Sequence, residues 1–306
     1  MIRYGFDIGG TKIEMAIFDG RMALCFSRRV PTPTRDYGDF LAAVAELAAQ
    51  GSRQIGPPDS IGLGLPGITD PLTGRQLSSN VPCLTNQRPG PDLRALFACP
   101  VHTDNDCRCF TLSEAMTEQT RDLHTVFGII LGTGAGGGLV VNRQLHRGGN
   151  GMAGEWGHTP LSAPVALRHQ LPVLDCPCGL TGCLERYVSG TGLAALCALR
   201  GLPYTDAPAL MLACGEGEPA AREIFDLYVD ILASALAGLQ TVLDVDAFVL
   251  GGGLSKIAEL YPALPPAMAR WLLPGVRPAA VLRPCHGDAS GVRGAALLGG
   301  RQTDRL

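Results

Sequence analysis

The chain has 306 residues, 46% of them hydrophobic and 17% charged, which fits about two globular domains with a core of ordinary size. A net charge of −3 offers no electrostatic basis for nucleic-acid binding. The N-terminus lacks an apolar leader, the longest apolar run (Ile231 to Leu243) is too short for a membrane span, and eleven cysteines, an odd number, point to a reducing cytoplasm rather than a disulfide framework.

In chain order, IRYGFDIG (Ile2 to Gly9) reads as a strand entering a glycine turn, and KIEMAIF (Lys12 to Phe18) as the next strand. Asp19-Gly20 is a hairpin signal, with a third strand expected over Arg21 to Arg29. Helical spacing of apolar residues covers Gly38 to Gln50, with Gly51 as the expected stop. SIGLGLPG (Ser60 to Gly67) reads as a short buried strand running into a loop. From Phe127 the stretch FGIILGTGAGGGLVVNRQLH repeats the grammar of Tyr4 onward, Gly128 matching Gly5 and Gly132 matching Gly9, 123 residues apart. Such a repeat predicts two similar α/β halves. A long helix over Glu218 to Val242, interrupted only by Gly238, a strand into a glycine turn at DAFVLGGGLS and a helix start at GVRGAALLGG complete the pattern.

Three glycine loops offer bare backbone amides. Asp7-Ile8-Gly9-Gly10-Thr11-Lys12 can cradle phosphate oxygens, Thr11 adding a hydroxyl and Asp7 holding Mg2+ through water. Gly132 to Gly138, including Thr133, is a second nest, and Gly251-Gly252-Gly253 a flat surface suited to adenine or ribose. None follows the Walker or dinucleotide-binding patterns. Two hairpin nests, one per half, suit a triphosphate clamped between halves.

Asp104, Asn105 and Asp106 stand directly before an amphipathic segment. Helix capping is the plain reading of such a cluster, and Asp104 fits it. The functional reading needs one carboxylate that takes a proton from a hydroxyl. GEWGHTP supplies Glu155 and His158. DCPCGLTGCLE places Cys176, Cys178 and Cys183 within eight residues and follows them with Glu185. Three soft ligands call for a fourth to close a structural zinc site. His158, 18 residues before Cys176, His169 and Asp175 are the candidates. A closed site of this kind would be architectural, pinning the loop that carries Glu185.

These stretches, DIGGTK, GLGLPG, DND, GTGAGGG, GEWGH, CPCGLTGCLE and GGGLS, stand in the order found in the ROK family of sugar kinases and repressors, and the resemblance covers essentially the whole chain. The resemblance implies an α/β fold of the actin-like ATPase (ribonuclease H-like) type, with ATP and sugar in a cleft between two domains. The expected domains are residues 1–118 with about 291–306, and 119–290. The resemblance implies Asp106 as general base and sugar contacts from Gly67, Asn80, Asn105, Asp106, Glu155, His158 and Glu185. With ATP in that cleft, the ATP-binding residues expected from the glycine loops are Gly5, Asp7, Gly9, Gly10, Thr11, Lys12, Gly132, Thr133, Gly134, Gly136, Gly137, Gly251, Gly252 and Gly253, with Mg2+ at Asp7. The resemblance also makes His158 the partner of Cys176, Cys178 and Cys183 on a structural Zn2+. The implied activity is phosphorylation of the C6 hydroxyl of N-acetyl-D-glucosamine, with glucose, fructose or N-acetylmannosamine as alternatives. A homodimer is a common assembly in such families. An apolar niche for the acetamido methyl is expected at Ser79-Asn80-Val81-Pro82. A repressor is disfavoured, because Asp7 leaves no room for a helix-turn-helix ahead of it. One departure stands out: the family's second Asn, two residues after the catalytic Asp, is Arg108 here.

Overall fold

The computed structural model describes residues 1–78 and 80–299. Ser79 of the expected sugar niche, and residues 300–306 of the expected first domain, lie outside the described residues. The chain divides into two compact units. The first takes in Met1–Thr117, Gln144–Ala153 and the chain from Asp288 onward; the second takes in Glu118–Arg143 and Gly154–Gly287. The segment Gln144–Ala153, expected with the second domain, thus clusters with the first.

In the first unit β1 (Arg3–Ile8), β2 (Lys12–Phe18) and β3 (Leu24–Pro31) form an antiparallel meander. Helix α1 (Tyr37–Gln54) then leads to β4 (Ser60–Leu65), and α2 (Asp106–Glu114) follows directly on β5 (Val101–Asn105). The strand order is β3-β2-β1-β4-β5, with β4 parallel to β1 and β5 parallel to β4. Asp7 pairs with Gly64 and Gly64 with Asp104, so three strand ends finish side by side. The carboxyl ends of parallel strands are where open α/β sheets bind ligands.

Two local expectations shift. The Asp19-Gly20 signal does not make a two-residue turn. The Asp19 carboxylate accepts the amides of Arg21 and Ala23, both at 2.8 Å, Met22 takes φ +61°, and β3 starts only at Leu24. Helix α1 is capped by Asp36, whose side chain accepts the Asp39 amide, and runs through Gly51. A Cβ at Gly51 would lie 2.7 Å from Ile17 and 2.8 Å from Tyr4, so this glycine marks a close packing contact and not a helix stop. The helix expected near the C-terminus spans Ser290–Leu298 and lies against β1, β4 and α2. Its approach needs bare backbone: a Cβ at Gly5 would meet the Val292 carbonyl at 2.0 Å, and one at Gly62 the Ala295 carbonyl at 1.8 Å.

The second unit repeats the plan. β6 (Thr125–Leu131) and β7 (Ala135–Val141) are antiparallel, while β8 (Ala247–Gly251) runs parallel to β6 and β9 (Ala280–Leu282) parallel to β8. The hairpins differ by one residue. Ile8 pairs with Ile13 across four residues, whereas Leu131 pairs with Ala135 across three. Each unit has its own core. Tyr4, Phe6, Ile13, Phe40 and Leu63 centre the first; Phe127, Tyr187, Phe225, Tyr228 and Phe248 centre the second. The helix Pro219–Leu243 is continuous through Gly238 and, by length and composition alone, could cross a membrane. Its Phe225, Tyr228, Ile231, Leu232 and Leu236 are instead buried in the second core.

That helix also carries a buried acid. Asp230 Oδ2 accepts His169 Nε2 at 2.7 Å and Arg168 at 3.1 Å, and Oδ1 accepts Arg270 at 3.1 Å and Trp271 Nε1 at 3.0 Å. Although burial opposes ionisation, the bonds from His169, Trp271, Arg270 and Arg168 hold its carboxyl down at about 2. A folded-state value below the unfolded one of about 3.9 means stability present above about pH 4 and lost as pH falls toward 2. Asp230→Asn is expected to lower stability by about 1–3 kcal/mol at neutral pH and to flatten the acid limb of a Tm-against-pH curve. An unchanged acid limb would assign the acid sensitivity to other groups.

Candidate active site

In the first unit the acids gather at the strand ends. Asn105 caps α2, its Oδ1 accepting the Arg108 amide at 3.2 Å, while its Nδ2 donates to the Gly67 carbonyl at 3.0 Å. Asp106 is therefore the first residue of α2, and its carboxylate accepts the Cys107 amide at 2.9 Å. A helix N-terminus favours a negative charge, but burial dominates and raises the Asp106 carboxyl above its ordinary range. Asp7, at the end of β1, is pushed up to about 7 by burial and then by the charges of Asp106 and Glu14. Glu14 pairs with Asp7 across the hairpin and is bound by Arg29 at 2.8 and 2.9 Å, with Lys12 at 3.6 Å. Acids crowded in this way, one of them already held by arginine, form a setting that a divalent cation relieves.

The glycine turns divide by environment. Gly9 closes its turn by donating to the Lys12 carbonyl at 2.9 Å, leaving Gly10 and the exposed Thr11 at the tip, and a Cβ on Gly10 would lie 3.0 Å from the Asn80 carbonyl. In the second unit the Gly132 amide donates to the Gly134 carbonyl at 3.0 Å. The helix Gly190–Leu199 buttresses this turn, Gly190 donating to the Gly132 carbonyl at 2.7 Å and Thr191 to the Thr133 carbonyl at 3.0 Å. Gly252, at φ +78°, lies against the Leu131 carbonyl, so the second and third glycine loops are packed together at the ends of β6 and β8. Gly5 and Gly137 have packing reasons of their own: Gly5 lies beneath the C-terminal helix, and a Cβ on Gly137 would lie 2.4 Å from the Gly128 carbonyl and 3.0 Å from Trp156. Gly136 offers its carbonyl to Trp156 Nε1 at 2.7 Å.

The expected methyl niche needs correction. Asn80 and Pro82 are exposed, but Val81 is fully buried in the first core and presents no surface to a ligand.

In the second unit a short turn, Trp156–His158, follows Glu155. The chain from Asp175 to Cys183 then folds back on Thr159–Leu161: Leu161 donates to the Gly182 carbonyl at 2.7 Å and Leu184 to the Thr159 carbonyl at 2.9 Å. This brings His158, Cys176, Cys178 and Cys183 together, with their donor atoms all within 4.8 Å of one another. Cys176 Sγ is 3.9 Å from His158 Nδ1, and Cys178 Sγ is 3.7 Å from Cys183 Sγ. Zinc–sulfur bonds of about 2.3 Å and zinc–nitrogen bonds of about 2.0 Å give tetrahedral edges of about 3.5–3.8 Å. The donor set fits zinc in number, softness and spacing. Burial, and then the neighbouring Cys178 and Cys176, push the Cys183 thiol up to about 12, a cost that a bound cation would reverse. His169 is held elsewhere, on Asp230. Two residues after Cys183, Glu185 opens a short helix and its Oε2 accepts the Ala135 amide at 2.8 Å. The cysteine loop thereby reaches the second glycine turn through one carboxylate.

The strand orders, the paired hairpin turns and the acids at the strand ends define a protein of the actin-like ATPase fold. The chain belongs to the ROK family, whose sequence model matches residues 3–301. It is 48% identical over 296 residues to the N-acetylgalactosamine kinase AgaK of Shewanella sp. (strain ANA-3), covering 97% of this chain and 96% of that one. It is 40% identical over 297 residues to the N-acetyl-D-glucosamine kinase of Salmonella paratyphi A (strain ATCC 9150 / SARB42), covering 96% and 98%. The crystal structure of a ROK hexokinase from Thermus thermophilus superposes with a TM-score of 0.85 at 30% identity, covering 97% of each chain.

Proposed function

We propose that the protein is a cytoplasmic sugar kinase that transfers the γ-phosphoryl group of ATP to the C6 hydroxyl of N-acetyl-D-glucosamine. The observation that carries the reaction type is Asp106: a carboxylate at a helix N-terminus, with a raised pKa, beside a second enclosed acid. The choice of an N-acetylated amino sugar rests on the relatives, which match over nearly their full length.

In this reading Asp106 takes the proton of the C6 hydroxyl as its oxygen attacks the γ-phosphorus, and the bond to the β-phosphate oxygen breaks. Asn105 holds the Asp106 backbone in place through its bonds to Arg108 and Gly67. The turns closed by the Gly9 and Gly132 amides bind phosphate oxygens with the backbone at their tips, Gly10-Thr11 and Thr133-Gly134, and Gly251 to Gly253 lies against the adenosine. Asp7 would hold Mg2+, whose charge offsets that of the transferring phosphoryl group. Glu155, His158 and Glu185 orient ring hydroxyls, with Gly67 and Asn80 adding polar backbone and side-chain contacts. Zn2+ on His158, Cys176, Cys178 and Cys183 would fix the loop that ends in Glu185. Positioning and charge supply most of the rate, as in phosphoryl transfer generally.

A second reading is N-acetyl-D-galactosamine, the C4 epimer, favoured by the 48% identity to a relative named an N-acetylgalactosamine kinase. The test is an ADP-release assay over hexoses and N-acetylhexosamines at saturating MgATP. N-acetyl-D-glucosamine is expected to have the highest kcat/KM, about 10–200-fold above glucose, because an unfilled methyl site costs about 1–3 kcal/mol. A higher kcat/KM for N-acetyl-D-galactosamine would establish the second reading, and a clear preference for glucose or fructose would overturn both.

A further inference from the structure

Arg108 stands two residues from Asp106 and its side chain is buried, only 7% exposed. Its guanidinium uses all three nitrogens. Nη1 donates to Asp104 Oδ1 at 3.2 Å, Nε to the Ala153 carbonyl at 3.0 Å, and Nη2 to the Gly151 carbonyl. The other oxygen of Asp104 accepts Arg147 Nε at 2.6 Å. One buried carboxylate thus sits between two guanidinium groups, and one of those groups holds the backbone at two further points.

The chain held in this way is His146-Arg-Gly-Gly-Asn-Gly-Met-Ala-Gly154, with four glycines in nine residues. Gly148 and Gly151 adopt φ of +74° and +67°, and within the segment only the Ala153 amide closes back, to the Arg147 carbonyl at 3.3 Å. Such a chain has a large conformational entropy to lose and little apolar surface with which to offset it. Arg147 fixes its start and Arg108 its end, and the next residues in sequence are Gly154 and Glu155. A planar, always-charged fork can serve two carbonyls and a carboxylate at once; a lysine ammonium at that depth cannot.

We propose that Arg108 is a positioning residue: with Asp104 and Arg147 it clamps residues 147–153 to the helix that begins with Asp106, and so keeps that segment and Asp106 in one fixed arrangement for sugar recognition. This rests on the kinase reading above, and it acts on sugar recognition rather than on the nucleotide.

The test combines steady-state kinetics with hydrogen exchange on the ligand-free full chain, for Arg108→Met, Arg108→Lys and Arg147→Met. Arg108→Met is expected to raise the KM for the amino sugar about tenfold or more while leaving the KM for MgATP within twofold. Exchange should quicken at the amides of 147–153 and not across β1 to β4. Arg108→Lys should recover only part of the loss, and Arg147→Met should loosen the same amides to a smaller extent. Sugar KM and exchange both unchanged in Arg108→Met would overturn the proposal, as would equal rises in both KM values with exchange quickened throughout the unit. If Arg108→Met does not fold, unchanged exchange in Arg147→Met overturns it equally. A parent enzyme that phosphorylates no amino sugar would sink the kinase reading, leaving the exchange data to decide the clamp alone.

Discussion

Asp106→Asn is expected to lower kcat by about 10²–10⁴-fold, the usual range for a lost general base. The amide keeps the shape of the side chain and can still accept the Cys107 N–H that the carboxylate accepts at 2.9 Å, so the N-terminus of α2 should stay intact and sugar binding should persist. The pH profile supplies a second readout. A base works only when deprotonated, and burial raises the Asp106 carboxyl above its ordinary range. Activity should therefore fall on the acid side at a pH higher than a free aspartate would give, and Asp106→Asn should remove that limb. Asp104, with its side chain only 2% exposed between Arg108 and Arg147, faces no proton donor on a substrate in this reading. Asp104→Asn should weaken the fold more than the chemistry, and equal losses of turnover at 104 and 106 would show that the base has been misassigned.

The second large effect is expected at the cysteine cluster. Protein purified without chelator should contain about one zinc per chain by elemental analysis. Cys183→Ser, at a buried ligand, should release the metal and lower the Tm, because Cys183 and Glu185 share the loop laid against Thr159–Leu161. The consequence should reach the nucleotide, since Glu185 bonds the Ala135 amide at the end of the second glycine turn. Chelation should therefore weaken both sugar and MgATP binding. His169→Ala should keep the zinc and cost stability through Asp230, whereas His158→Ala should lose it. Freshly purified protein without zinc would remove the metal from the account.

How much of this could be read from the sequence depended on the range of the interactions involved. The hairpins and glycine turns were legible because turn chemistry is local: each depends on residues within a few positions. The three clustered thiols were legible for the same reason. The choice among His158, His169 and Asp175 was not open to local reading, because the group that engages His169 is Asp230, 61 residues away on another helix. Gly51 was misread as a stop because the side chains that exclude a Cβ there belong to Tyr4 and Ile17. Val81 was misread as ligand surface because its burial is set by a core gathered from four strands and two helices. The carbonyls that hold Arg108 lie 43 and 45 residues on, in a segment whose glycines announce only a loop.

The two hairpins share a plan but not a charge. Where the first strand carries Asp7 opposite Glu14, the position 123 residues on is Ile130, opposite Gly136. The two hairpins thus differ in polarity: the first carries its own pair of acids, whereas the second is uncharged and receives the one carboxylate at its turn, Glu185, from outside the hairpin. Divergence of this kind gives a pseudo-symmetric scaffold a direction.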